Sequence, residues 1–330
     1  MRPRAVNRSV RRRRLLAGVV VVTAAVTAGV VIAHRPSTPP RTGAATRTTT
    51  TTRTTTTTLP QRPQTAPPLR GLAVTRSEVD LVDTGRPVVS GGATLADERA
   101  LPTELWSPTG PGPFPLVLFV HGYDTGPLDY ARFCSALASS GYVVAAPSFP
   151  LEDPARGFPL DRTHLADEAG DVSFVVGSLE QRAAVLDLVP GAVAVVGHSD
   201  GADVALLVGY GPGTVDARVG AVVADAPDPM PSGAIPSKVP LLLVQGTADA
   251  VVPYSASQTV FAQVDAPVVY LSLVGAGHRA PIAGGTPWTP VLDAAVARFL
   301  DATVGHRGPG PGTLATQLAD PPLATVRSKP

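Results

Sequence analysis

The five residues Gly197-His198-Ser199-Asp200-Gly201 follow directly on an apolar run, Ala192-Val193-Ala194-Val195-Val196. A G-x-S-x-G pentapeptide in that place predicts a strand, then a sharp strained turn that lifts the serine hydroxyl above a sheet, then a helix. Ala202 and the apolar stretch 204–208 supply that helix. A serine hydroxyl is a weak nucleophile at neutral pH and needs an adjacent base. Without such a partner the pentapeptide is only a Gly-rich turn carrying a solvated serine.

Downstream segments supply the partners. Leu241-Leu242-Leu243-Val244-Gln245-Gly246 reads as a buried strand closing on a Gly turn, with Asp249 in the loop that follows. Leu271-Ser272-Leu273-Val274-Gly275-Ala276-Gly277 leads in the same way to His278. Ligands of open α/β sheets bind outside the carboxyl ends of the strands. Ser199, Asp249 and His278 therefore stand as nucleophile, acid and base in that chain order. Upstream, Phe119-Val120-His121-Gly122-Tyr123 is a further strand end. Acyl transfer needs two backbone N–H groups where the carbonyl oxygen turns negative. The expected donors are those of Tyr123 and Asp200. Gly122 allows the close approach, and Gly122, Tyr123 and His198 are expected to line the substrate site. Phe149 and Phe158 are expected there too, from a roof loop over residues 148–163 that also holds Leu160.

Composition frames the rest. Seven arginines lie in the first 14 residues, and no acid precedes Glu78. Residues 15–33 carry no charge, so residues 1–33 read as an export signal or a membrane anchor, with everything after them facing outward. Both readings stand: 19 apolar residues approach a membrane span, whereas Val31-Ile32-Ala33 suits cleavage. Residues 34–68 hold 13 threonines between Thr38 and Thr58 and many prolines, too little apolar surface to offset ordering, so a disordered linker is expected. Beyond residue 33 the chain holds 20 basic and 26 acidic side chains, a balance of −6 that gives nucleic-acid binding no support. The one cysteine, Cys134, excludes an intrachain disulfide and falls in an apolar helical pattern. No His/Cys/Asp cluster has metal-ligand spacing, and no dinucleotide fingerprint or phosphate-cradling loop occurs. No metal and no cofactor are expected.

Strands are expected at residues 103–107, 116–120, 143–146, 193–196, 221–224, 241–245 and 268–273. Helices are expected at 129–139, 165–188, 202–208, 255–264 and 289–302. Near-continuous Val/Leu/Ala strands alternating with helices predict a doubly wound, mostly parallel α/β sheet over residues 69–305. Residues 306–330, opening with Gly308-Pro309-Gly310-Pro311-Gly312, read as a flexible tail.

The segment from about residue 101 to 300 resembles the α/β-hydrolase superfamily. It is most similar to the dienelactone-hydrolase-like branch that includes chlorophyllase, platelet-activating-factor acetylhydrolase and cutinase-like polyester hydrolases. The resemblance rests on Leu105-Trp106-Ser107-Pro108, His121-Gly122-Tyr123, Ser140-Gly141-Tyr142-Val143-Val144-Ala145-Ala146-Pro147, Asp171-Val172-Ser173-Phe174-Val175, the serine pentapeptide, Gly246-Thr247-Ala248-Asp249 and Gly277-His278. It implies an α/β-hydrolase fold and a serine carboxylic-ester hydrolase acting through an acyl-enzyme on a small-molecule or lipid ester. Two departures stand out: cutinase-like enzymes carry Met where Asp200 stands, and dienelactone hydrolases use Cys where Ser199 stands. A carboxylate beside the oxyanion site opposes developing charge unless it is paired. The 13 residues 226–238 leave no room for the helical cap many lipases insert there. The alternatives are an acyltransferase acting on envelope lipid or sugar, and a catalytically dead surface binding module. A monomer is expected, located outside the cytoplasm as a secreted or membrane-anchored protein.

Overall fold

The computed structural model describes residues 70–330 apart from 232, 309–312 and 321. The segments expected as signal or anchor (1–33) and linker (34–68) lie outside the described residues. One sheet of nine strands runs through the described residues. We number them β1 (Val74–Val79), β2 (Thr103–Pro108), β3 (Phe114–Val120), β4 (Val143–Pro147), β5 (Leu188–His198), β6 (Val219–Asp225), β7 (Leu241–Gly246), β8 (Val268–Leu273) and β9 (Ala324–Lys329). Their spatial order is β1-β2-β4-β3-β5-β6-β7-β8-β9. Neighbours from β4 to β8 pair parallel, whereas β1/β2, β2/β4 and β8/β9 pair antiparallel.

The helices are α1 (Ala131–Ser139), α2 (Leu165–Glu180), α3 (Asp200–Tyr210), α4 (Tyr254–Gln263), α5 (Thr289–Ala302) and the short α6 (Leu314–Leu318). All seven residues of β3 and all six of β7 and of β8 are buried. Helices on both faces demand that: one apolar cluster joins Leu116, Leu118 and Val195 to Val172 and Val176 of α2 and Val204 of α3. A second joins Val117, Phe119 and Val196 to Phe133 of α1 and Leu292, Val296 and Phe299 of α5. The alternation along β3 thus sends successive side chains into opposite cores. The expected doubly wound α/β-hydrolase architecture is present. β6 is followed directly by the loop to β7, with no cap between them. Cys134 is buried in the second cluster, and burial pushes its thiol pKa up. Among the described residues no helix is long and apolar enough to cross a membrane.

Three expectations need correction. Residues 306–330 are not a flexible tail throughout, because α6 and β9 lie within them and β9 closes the sheet beside β8 from Val268↔Lys329 to Leu273↔Ala324. The helix expected over 165–188 ends at Glu180, and a single turn at Ala183–Leu186 precedes β5, which starts at Leu188. The edge strand β1 was not expected at all; only its two end valines are even partly buried, so it carries no apolar pattern.

Candidate functional site

Ser199 sits between β5 and α3 at φ 58°, ψ −130°. A non-glycine residue there is strained by about 1–3 kcal/mol, and such strain concentrates at functional sites. The neighbours leave no room to relax it. A Cβ on Gly197 would stand 1.9 Å from the Gly201 carbonyl oxygen, and one on Gly201 would stand 2.2 Å from that of Val120. The Ser199 N–H is tied to the Asp225 carbonyl of the neighbouring strand at 2.9 Å.

His278 and Asp249 meet at the carboxyl ends of β8 and β7. The Nδ1–H of His278 donates to Asp249 Oδ2 at 2.8 Å, and the Asp249 side chain is fully buried. That carboxylate also accepts Gln245 Nε2 on Oδ2 at 2.8 Å and the Val251 and Val252 amides on Oδ1 at 2.8 and 3.0 Å. Four donors lock it in place. With the imidazole proton on Nδ1, Nε2 is left as the acceptor, the tautomer a general base needs. Ser199 and His278 line one cavity of about 220 Å³, together with Gly122, Tyr123, His198 and Asp200. Ser199 Oγ makes no hydrogen bond among the described residues.

The loop after β3 closes over the serine. His121 is wholly buried, and desolvation lowers its pKa, so it is neutral. Its Nδ1–H donates to the Gly122 carbonyl at 3.0 Å, and its Nε2 accepts the Phe149 amide at 3.2 Å. Thr125 Oγ1 donates to the same Gly122 carbonyl at 2.5 Å. The Gly122 N–H donates to Tyr130 Oη at 3.3 Å, which removes it from the list of oxyanion donors. The N–H groups of Tyr123 and Asp200 carry no partner among the described residues. The Asp200 carboxylate, the sequence's worrying feature, is paired: Arg162 holds it bidentately at 2.6 and 3.0 Å.

His198 lines the cavity and also ties its loops together. Its ring is buried, and desolvation drives its pKa down to about 3. It is a neutral imidazole with a readable tautomer. Nε2 lies 3.1 Å from the His278 carbonyl and must donate to it; Nδ1 therefore accepts the Tyr130 hydroxyl at 3.0 Å. A directed chain follows: Gly122 N–H to Tyr130 to His198 to the His278 backbone. It joins these loops through two buried side chains, Tyr130 and His198.

Phe149 is corrected: it is buried in the first core cluster with its ring 5.0 Å from that of His121. It shapes the loop from below, because its amide completes His121. Phe158 does not line the cavity either. Of the roof segment 148–163, Arg162 alone does so. Arg162, Tyr130, Thr125 and Arg279 were missed as cavity-lining residues. Their types carry no motif, and only the tertiary closeness of distant loops reveals them.

Residues 93–235 match the chlorophyllase family model. That segment carries the oxyanion loop and the serine turn, on a sheet whose order and burial are already described. The match covers less than half of the chain, and together with the sheet it shows the α/β-hydrolase fold. The match points to an ester hydrolase of the α/β type. It ends before Asp249 and His278, so for those two residues the geometry speaks alone. No curated protein matches the chain.

Proposed function

We propose that the protein is an exported serine carboxylic-ester hydrolase working through an acyl-enzyme. The observation that carries this reading is the His278–Asp249 pair at 2.8 Å, sharing one cavity with a serine held at positive φ. Ser199 Oγ attacks the ester carbonyl while His278 Nε2 takes its proton. The carbonyl oxygen becomes negative and is met by the Tyr123 and Asp200 N–H groups. Arg162 holds the Asp200 carboxylate, which limits its opposition to that charge. Collapse of the tetrahedral intermediate expels the alcohol, which takes the proton from His278. Water then attacks the acyl-enzyme, giving its proton to His278, and the acid leaves as Ser199 Oγ is reprotonated. No cofactor enters these steps.

Export rests on the arginine cluster and the uncharged residues 15–33, which would place the catalytic unit outside the cytoplasm as a secreted or anchored protein. A fluorophosphonate probe tests the central step. Mass spectrometry should find the adduct on Ser199 and none in Ser199→Ala. An adduct elsewhere, or none on a folded protein, sinks the reading.

A further inference from the structure

We propose that Arg279 makes the cleft selective for esters that carry an anion close to the scissile bond, a carboxylate or a phosphate. This rests on the esterase reading of Ser199 and names the substrate class for that site.

Two arginines line the cavity, and their surroundings differ. Arg162 is neutralised by Asp200 at 2.6 Å, with Asp228 at 3.7 Å beside them. Arg279 has no ion pair and no side-chain hydrogen bond among the described residues; its guanidinium lies 5.2 Å from the centre of the Tyr130 ring. A cation over an aromatic face is held in place without using its N–H groups. Arg279 is therefore fixed by Tyr130 with its donors free, the form in which arginine recognises carboxylate and phosphate.

Position gives that charge a consequence. Arg279 follows His278 directly, and its field already helps to lower the pKa of His198, whose ring lies 4.7 Å from that of His278. His278 must become imidazolium as Ser199 attacks, and an uncompensated cation next door raises the energy of that state. A substrate anion paired with Arg279 cancels the repulsion at the moment it matters. Selectivity of this origin appears in kcat as well as in KM. The small cavity adds a length limit: the anion must lie within a few bonds of the carbonyl, as in a half-ester of a short dicarboxylic acid.

The test uses the full-length protein and three anionic esters, each with a neutral counterpart whose carboxylate or phosphate is fully methylated (the dimethyl triester for the phosphate). They are mono-4-nitrophenyl glutarate (carboxylate on the acyl side), 4-acetoxybenzoate (carboxylate on the alcohol side) and 4-acetoxyphenyl phosphate. The reading is the ratio of kcat/KM for phenol release, anionic over neutral, which is independent of how much of a variant is folded. At least one pair should give a ratio of about ten or more. That ratio should collapse towards one in Arg279→Gln and fall below one in Arg279→Glu. The pair that shows it identifies the anion and its side. Ratios near one in the parent protein for every pair, or the same ratio in all three proteins, overturn the proposal. Failure of the esterase reading looks different: the neutral esters are not cleaved, or cleavage survives Ser199→Ala.

Discussion

Tyr130 sits at the centre of the site without touching the reacting atoms. Its hydroxyl accepts the Gly122 amide and donates to His198 Nδ1, and His198 in turn donates to the His278 carbonyl. Tyr130→Phe leaves a buried amide and a buried ring nitrogen unpartnered, a cost of about 1–3 kcal/mol for each group. Both groups hold loops that place the oxyanion donors and the base. We expect kcat for a neutral ester to fall about tenfold with KM within about twofold, since a misplaced transition-state contact acts on kcat. A KM rise with unchanged kcat would show that Tyr130 only binds substrate. At this scale the sequence was legible wherever local chemistry forces a residue type. The glycines around Ser199 are required because any Cβ would strike backbone, and that pattern can be read directly. Tyr130, Arg162 and Arg279 were not legible, because their roles depend on partners far away in the chain: Asp200 lies 38 residues from Arg162 and His198 lies 68 from Tyr130.

At the scale of elements, the C-terminal strand β9 matters most for stability. β8 is buried along its whole length, and without β9 its backbone would become a free sheet edge, a site for edge-to-edge association. Arg327 and Lys329 also lie over Phe261 of α4 at 4.7 and 5.0 Å, pinning the strand to the face beneath. Truncation after Arg307 should lower Tm by about 5 °C or more and promote association, read by calorimetry and light scattering. An unchanged Tm would mean that β9 adds nothing to the fold. The central strands could be read from sequence because helices on both faces require continuous apolar runs. β1 and β9 could not, since edge strands face solvent and need no such pattern; the Gly/Pro run before β9 points the wrong way. The overrun of α2 has a similar cause, as Ala183-Ala184-Val185-Leu186 continues a helical composition while the chain turns towards β5.

Over the whole molecule, buried acids set the response to pH. Asp225 is fully buried beside Asp249, its Oδ2 has no partner, and desolvation raises its pKa from 3.8 to about 8. Burial also raises Glu168 and Glu152, whose carboxyl oxygens are likewise unpartnered. Burial raises Asp171 as well, although Arg99 and Arg86 clamp it at 2.6 Å each. A raised folded-state pKa means that the folded protein keeps a proton the unfolded chain releases. The Asp225 contribution is thus fully present below about pH 3.8 and is lost as pH rises towards about 8. Asp225→Asn removes that loss, so its Tm should gain on the parent protein's between pH 5 and pH 8. A constant difference across that range would show that Asp225 does not bind a proton on folding. Neither the depth of these acids nor their lack of partners is visible in a sequence, whereas the layered architecture is, through its alternation of strands and helices.

The account depends most on Ser199 as nucleophile. The direct measurement is release of 4-nitrophenol from short-chain 4-nitrophenyl esters by the full-length protein and by Ser199→Ala. We expect a stopped-flow burst equal to the enzyme concentration, as an acyl-enzyme builds up, and a fall in kcat of about 10⁴-fold or more in the variant. Turnover that persists in a folded Ser199→Ala protein would contradict the account.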